Sequence, residues 1–165
     1  MFLKLKYTFI LFFIIMSFFS NFNQDFNSNN SYIYPTTSRN ISSNFGYRIL
    51  FGKTNFHDGI DFAIPNGSPI YATNSGIIIT SSFLNGYGNS IIIKHYDGNK
   101  SLYGHLSENF IVQNGDSVEQ GELIGYVGPK YLSNGTLNGN TTGPHLHFTI
   151  IGINGNFINP SELID

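Results

Sequence analysis

Two histidines near the end of the chain, His145 and His147, are spaced as neighbours on one face of a β-strand. They lie in the run Thr-Gly-Pro-His-Leu-His-Phe at residues 142–148. Side chains alternate between the faces of a strand, so the two imidazoles would share a face with Cα atoms roughly 6.5–7 Å apart. Such a pair can bind one metal ion, or one imidazole can bind it while the other handles protons. Because two histidines on a strand are often only a solvated face, the interpretation depends on partners elsewhere.

A second candidate segment carries His57 and Asp61. On a straight strand these side chains would lie roughly 13 Å apart, too far for one metal ion. Asp58-Gly59 lies between them and favours a turn, so we predict that the segment bends and brings the imidazole and the carboxylate together. Alone, the segment also fits an Asp-Gly turn beside a surface histidine. Combined with the later pair, it supplies His, Asp and His donors, and a catalytic zinc typically has three N or O protein ligands with a water in fourth position.

The other two histidines, His95 and His105, flank a predicted hairpin. A two-residue loop at Asp97-Gly98 would pair His95 with Lys100 and place the two histidines on opposite faces. Only one of them could then easily reach a common site, although a slip of one residue would undo this inference. We therefore predict that His105 belongs to the site and that His95 is structural or solvated.

Turn dipeptides and short β-branched or aromatic runs alternate over the remaining sequence. Asn-Gly and Asp-Gly supply the positive φ that tight hairpin turns require. No helical stretch of ten residues is evident after the N-terminus, which predicts an antiparallel all-β domain of short strands and hairpins. Two segments, 61–77 and 112–127, share a strand-turn-strand rhythm. The predicted strands are 77–80, 90–95, 100–105, 123–127, 146–151 and 157–158.

The N-terminal residues have a different character. Residues 1–20 contain Lys4 and Lys6 followed by an apolar run of signal-peptide length, short of the roughly 20 residues that a spanning helix needs. This predicts an apolar N-terminal helix acting as a signal peptide or an uncleaved membrane anchor. Residues 21–37 are rich in Asn and Ser and predict a flexible linker, which leaves 38–165 as the folded domain. The protein is expected to be exported, to the periplasm, cell envelope or medium, either free or anchored by its N-terminus.

Composition excludes several classes of function. Eight Lys and Arg stand against ten Asp and Glu, so the basic surface that nucleic-acid binding requires is absent. The chain has no Cys, which excludes disulfides, thiolate zinc ligands and a cysteine nucleophile.

In this order, the motifs resemble those of the lysostaphin/LytM-type zinc endopeptidases (peptidase family M23), which cut peptide bonds in bacterial peptidoglycan. The resemblance runs in unbroken order from about residue 40 to residue 162. The segments that carry it are Ser43–Arg48, His57–Phe62, Gly67–Ala72, Gly88-Asn89, Leu102–Ser107, Gly115–Gly121, Thr142–Phe148 and Asn159-Pro160.

The resemblance implies a LytM-like fold with a duplicated hybrid motif and a role for each site residue. His57, Asp61 and His147 fall on the ligands of one zinc ion with a water as fourth ligand, and His105 and His145 fall on the two non-ligand catalytic histidines. The implied reaction is hydrolysis of stem or cross-bridge peptides, with zinc as Lewis acid and water activator. We interpret His145 as the base and His105 as the group that stabilises the oxyanion or protonates the leaving amine, and the exchanged assignment stays open.

One segment departs from the resemblance. Residues 129–140 stand where the family usually has a short Ser-Thr-Gly-type loop, and either a groove wall or lid or a tolerated surface insertion would explain them. Two other functions also remain open. A non-catalytic cell-wall-binding or hydrolase-activating module could share the fold, and a structural surface protein could use these histidines only to stabilise turns. Zinc content and peptidoglycan cleavage discriminate between the three.

Overall fold

The computed structural model describes residues 31–165 and shows an all-β fold. The N-terminal helix predicted at 1–20 and linker residues 21–30 lie outside the described residues. Within 31–165, no helix is long and apolar enough to cross a membrane. The elements are β1 Ile41–Ser43, β2 Gly46–Leu50, β3 Lys53–His57, β4 Ile60–Phe62, β5 Pro69–Tyr71, β6 Gly76–Leu84, β7 Gly88–His95, β8 Lys100–Gly104, β9 Ser117–Val118, β10 Leu123–Tyr126, β11 Leu146–Ile151, β12 Phe157–Ile158 and a 3-10 turn at Pro160–Glu162.

One large sheet carries most of the strands, in the order β1-β4-β11-β8-β7-β6-β9, and β12 also pairs with β11. Two smaller sheets consist of β5 with β10 and of β2 with β3. The pairings between these strands are antiparallel. The predicted antiparallel all-β class is therefore confirmed.

The two segments predicted to share a rhythm interlock with each other. The first contains β5 and the start of β6, and the second contains β9 and β10. β5 pairs with β10 while β6 pairs with β9, so the first strand of each segment pairs with the second strand of the other. Equivalent turn glycines make equivalent bonds: Gly67 N–H donates to Val127 O and Gly115 N–H to Ile78 O, each at 2.9 Å. This arrangement is what a duplicated motif would produce.

The core lies under the face of β11 opposite the candidate site. Alternation sends the even-numbered side chains of β11 into the core, while the odd-numbered His147 and Thr149 point the other way. Burying a large apolar side chain contributes about 1.5–3 kcal/mol to the free energy of unfolding. Because a slip of one residue would expose these side chains, their burial strongly favours this register. Fully buried apolar residues of the core include Ile60, Phe62, Ile70, Ile91, Ile93, Tyr103, Ile124, Leu146, Phe148 and Ile150.

The packed domain begins before residue 38, the boundary expected from composition. Tyr32 is buried in the core cluster and forms a bridge with Ile164. Nearby, Tyr71 N–H donates to Pro35 O at 2.9 Å. Composition could not reveal this because the contacts are with distant parts of the chain.

The predicted register of the β7–β8 hairpin is wrong by one residue. Lys94, and not His95, pairs with Lys100. The connection is a three-residue loop in which Gly98 N–H donates to His95 O and Gly98 has φ +90°. A turn followed by a left-handed glycine is the usual three-residue hairpin loop, and it shifts the register relative to a two-residue turn. Because β8 ends at Gly104 and His105 itself has φ +59°, strand alternation does not determine where His105 points.

His95 is nevertheless structural, as predicted. Its Nδ1–H donates to Ser75 O at 3.1 Å, and its Nε2 lies 2.8 Å from the Ser101 hydroxyl. The Tyr32 ring packs edge-on against it, with centroids 5.1 Å apart. Burial lowers the pKa of His95, although the bond to Ser75 and the charge of Asp97 act in the opposite direction.

We expect His95 to make folding pH-dependent. Its folded pKa is depressed, so the unfolded chain binds the proton more readily, and the free energy of unfolding should fall as pH drops through about 6.5. A His95→Gln variant lacks this group and should lose less stability between about pH 7.5 and about pH 5.5. Denaturant titrations of both proteins measure the difference. Parallel pH curves would show that His95 does not contribute.

Candidate metal centre

The site is built around His147 in β11, which lies between β4 and β8. The register pairs His147 with Asp61 on one side and with Gly104 on the other. Directly paired residues on neighbouring strands have Cβ atoms about 4.5–5.5 Å apart. The Asp61 carboxylate is therefore brought to the His147 imidazole by the sheet itself.

The segment from His57 to Asp61 is bent, as predicted. β3 ends at His57 and β4 begins at Ile60, and His57 Nε2 lies 3.1 Å from Asp61 Oδ1. Gly59 allows the bent segment to lie close against β11, because a Cβ there would lie 2.3 Å from the carbonyl oxygen of Phe148. Close approach of two backbones is a position where only glycine fits.

Three donor atoms converge at this point. His57 Nε2, Asp61 Oδ1 and His147 Nδ1 form a triangle with edges of 3.1, 2.9 and 3.1 Å. A tetrahedral zinc ion with bonds of about 2.0–2.1 Å needs ligand atoms about 3.3 Å apart. The triangle is close to this spacing, so the three residues fit a metal ion.

Hydrogen bonds behind the two imidazoles direct their free electron pairs at the centre. His57 Nδ1 lies 2.8 Å from Asn44 O, and because a carbonyl only accepts, Nδ1 carries the proton. His147 Nε2 lies 2.9 Å from the Thr149 hydroxyl and 3.2 Å from an Asp58 carboxylate oxygen, and because the neighbouring carboxylate favours an N–H there, Nε2 carries the proton. In the neutral rings, His57 Nε2 and His147 Nδ1 therefore face each other and Asp61 with lone pairs, which repel unless a cation lies between them.

The electrostatics of these groups agree with a cation site. Burial would raise the pKa of Asp61, but bonds with His147 and His57 outweigh it and hold that pKa well below its usual range. Burial likewise opposes charge on His147, yet its bonds to Asp58 and Asp61 raise its pKa. The carboxylates thus favour positive charge at His147 Nδ1, and a metal ion can take the place of the proton there.

His105 and His145 stand beside the triangle, with ring centroids 4.6 Å apart. His145 precedes β11, and its Nε2 lies 3.6 Å from Asp61 Oδ1, so it faces the same point as His147, as predicted. Its Nδ1–H donates to Gly143 O at 2.8 Å. His105 Nδ1–H donates to Asn138 O at 2.6 Å. Burial, reinforced by the nearby His145, lowers the pKa of His105 to about 4, so this imidazole is neutral near pH 7.

These residues line an open groove of about 410 Å³. Arg48 reaches its floor, where Nη1 donates to Ser43 Oγ and lies 3.4 Å from Asp61 Oδ2. The guanidinium thereby holds the second carboxylate oxygen away from the triangle. Amide side chains also line the groove, at Asn55, Asn85 and Asn140.

Two residues near His147 were not predicted from the sequence. Asp58 was interpreted only as a turn residue, but its carboxylate accepts from His147 Nε2 and, at its other oxygen, from the Tyr87 hydroxyl. Burial and the bond to Asp58 raise the pKa of Tyr87, which keeps the phenol protonated as a donor. The available signal was a carboxylate adjacent to a predicted ligand, since ligating histidines commonly donate their second N–H to one.

Comparison with known proteins identifies the family. The sequence model of peptidase family M23 matches residues 55–160. The chain belongs to peptidase family M23. Within this M23 sequence, the predicted His57, Asp61, His147, His105 and His145 all lie at one groove.

Several known proteins are similar to this chain over most of its length. The chain is 40% identical over 130 residues to the DD-carboxypeptidase/endopeptidase Mpg of Neisseria meningitidis serogroup B, covering 78% of this chain and 28% of Mpg. A zinc-containing peptidase from Vibrio cholerae superposes with TM-score 0.64 at 31% identity, over 78% of this chain and 39% of that one. The catalytic domain of lysostaphin from Staphylococcus simulans superposes with TM-score 0.60 at 32% identity, over 73% and 86%. The chain thus spans little more than a quarter of the length of curated relatives such as Mpg.

We expect Asp58→Asn to weaken metal binding. The amide cannot supply the negative charge that holds His147 Nε2–H, and loss of such a partner typically lowers metal affinity by about 10- to 100-fold. Competition with a chromophoric chelator measures this directly for zinc. Asp116→Asn is the matched control, because that carboxylate accepts from the Gln113 backbone N–H away from the groove. Equal zinc affinity in the Asp58 and Asp116 variants would contradict the assignment.

Proposed function

We propose that this M23 domain is a zinc-dependent endopeptidase that hydrolyses peptide bonds in the stem or cross-bridge peptides of bacterial peptidoglycan. The observation that carries the proposal is the triangle of donor atoms beside two further imidazoles in an open groove. The names of relatives support the substrate class, since Mpg is a DD-carboxypeptidase/endopeptidase and ShyC of Vibrio cholerae, 37% identical over 129 residues, is a peptidoglycan DD-endopeptidase.

The metal would be held by His57 Nε2, Asp61 Oδ1 and His147 Nδ1. Two imidazole nitrogens and one carboxylate oxygen are a donor set that zinc uses in catalytic sites. When bound, zinc supplies Lewis acidity and lowers the pKa of a coordinated water from about 16 to about 7. Arg48 and Asp58 keep this set in place, the first at the free oxygen of Asp61 and the second behind His147.

His145 is suited to act as the base. Its Nδ1–H is engaged with Gly143 O, so its free electron pair is on Nε2, 3.6 Å from Asp61 Oδ1 and therefore beside the metal ligands. An imidazole nitrogen with a free electron pair can accept a proton from water as a general base. Nε2 of His145 would take the proton of the attacking water and later release it.

His105 is suited to act on the substrate and its leaving amine. Its buried ring is neutral near pH 7 because its pKa is lowered to about 4. Nδ1–H is engaged with Asn138 O, so Nε2 is the atom through which it can meet the substrate. We assign Nε2, which accepts hydrogen bonds, to orienting the scissile group and to relaying a proton to the leaving amine. The proton relayed is the one that His145 takes from the attacking water: Nε2 of His105, whose ring lies 4.6 Å from that of His145, would accept it and pass it on.

We further propose that the domain acts outside the cytoplasm. An export signal or membrane anchor at residues 1–20 would carry it across the membrane, and residues 21–30 would join this segment to the packed domain. Peptidoglycan is the partner that the groove and the relatives favour, and the slightly acidic charge balance disfavours nucleic acid.

The proposal predicts chelator-sensitive release of peptides from peptidoglycan. The zinc-loaded chain should generate new amino groups from purified peptidoglycan, while a chelator, His57→Ala or His147→Ala should abolish this. His95→Gln is the matched control, because that buried histidine lies outside the groove. Mass spectrometry of the released peptides identifies the bond. Full activity in the His57→Ala or His147→Ala variant, or intact peptidoglycan with a zinc-loaded wild-type chain, would disprove the proposed function.

The non-ligand histidines should behave differently from the ligands. His145→Ala and His105→Ala should retain zinc, because neither ring nitrogen belongs to the triangle, but kcat should fall by about 10²–10⁴-fold. Zinc analysis and steady-state kinetics on a defined cross-linked peptide separate the two effects. Zinc loss on replacing His145 would instead make it a ligand.

A further inference from the structure

Asn138 is a polar residue whose side chain is completely buried. Its Oδ1 accepts from Asn89 N–H at 2.9 Å. Its Nδ2 donates to Leu106 O at 3.0 Å and to Pro129 O at 3.2 Å. These partners belong to β7, to the segment just after His105 and to the start of the 129–140 loop. A buried amide satisfied on both sides fixes the backbone that carries it.

The same residue contacts His105 through its backbone. Asn138 O accepts from His105 Nδ1–H at 2.6 Å, while its side chain binds the carbonyl of Leu106, the next residue. Asn138 therefore hydrogen-bonds to two consecutive residues, His105 and Leu106, directly after the end of β8. His105 needs such support because it has left the strand with φ +59°, a conformation that non-glycine residues seldom adopt.

Glycines at neighbouring positions make room for Asn138 to pack this closely. A Cβ on Gly88 would lie 2.4 Å from both Asn138 O and Oδ1, and a Cβ on Gly128 would lie 2.6 Å from Nδ2. Gly139 is similarly tight against Gly88 N, at 2.4 Å. Three chain segments thus pack tightly around one amide, so the position of the Asn138 side chain and backbone is closely defined.

We propose that Asn138 is a positioning residue that locks His105 in the Nδ1–H tautomer and leaves Nε2 as its only free nitrogen toward the groove. The end of the 129–140 loop is then part of the catalytic apparatus, while its tip around Asn134 is exposed. Burial lowers the pKa of His105 to about 4, so the ring carries one proton near pH 7, and the bond to Asn138 O is what places that proton on Nδ1. The catalytic consequence rests on the proposed function, but the tautomer does not.

The test is nitrogen NMR of the zinc-loaded full chain, kept soluble in detergent micelles and labelled with ¹⁵N in histidine. At neutral pH, His105 should show a protonated Nδ1 and an unprotonated Nε2. In Asn138→Ala the tautomers should mix, and kcat should fall by at least about tenfold with KM and zinc content little changed. Asn134→Ala, an exposed asparagine of the same loop, should leave the spectrum and kcat as in the wild type.

Three results would overturn the proposal: an Nε2–H tautomer in the wild type, an unchanged His105 spectrum in Asn138→Ala, or unchanged kcat in an Asn138→Ala variant whose tautomers mix. If Asn138→Ala loses its fold, Asn138→Ser takes its place under the same criteria. If peptidoglycan is never cleaved but Asn138 still controls the tautomer, the proposed function fails while the positioning role stands.

Discussion

The site depends on the pairing of His147 with Asp61 between β11 and β4. A shift of one residue would turn His147 into the core and expose Phe148, so the core and the site specify the same register. The same pairing brings two lone-pair donors within 2.9 Å, and His57 adds a third from the end of β3. Such a cluster is favourable only with a cation between the donors, either a proton on His147 Nδ1 or a metal ion, which links folding of this region to metal binding.

Orientation of the imidazoles is achieved by the bonds behind them. Backbone carbonyls accept the Nδ1–H of His57, His105 and His145, while the Thr149 hydroxyl and the Asp58 carboxylate lie against Nε2 of His147. All four imidazoles therefore present a free electron pair to the groove without any further rearrangement. Polar groups buried in this way must be fully satisfied, or desolvation would offset the stability of the surrounding core.

Local patterns predicted much of this arrangement. Turn dipeptides between β-branched runs indicated the antiparallel strands, alternation placed His145 with His147, and Asp58-Gly59 indicated the bend. The resemblance to M23 peptidases then suggested a role for each of the five site residues. Each of these predictions depends on neighbours in the sequence or on motifs of the family.

Long-range contacts account for what the sequence did not reveal. The hairpin register was missed because Gly98 adopts a left-handed conformation that adds a third residue to the loop. Tyr32 was assigned to a linker because its partners, His95 and Ile164, are distant in the chain. Asn138 looked like one of many Asn-Gly turns, and only the fold shows that its side chain joins three segments around His105.

Anomalous X-ray diffraction at the zinc absorption edge, on crystals of the zinc-loaded chain, would show directly whether the three donor atoms bind zinc. It should show one strong peak at about 2.0–2.2 Å from His57 Nε2, Asp61 Oδ1 and His147 Nδ1. Neither His105 nor His145 should approach the peak at bonding distance. A peak liganded by either of these histidines, or no peak within the triangle, would contradict the account.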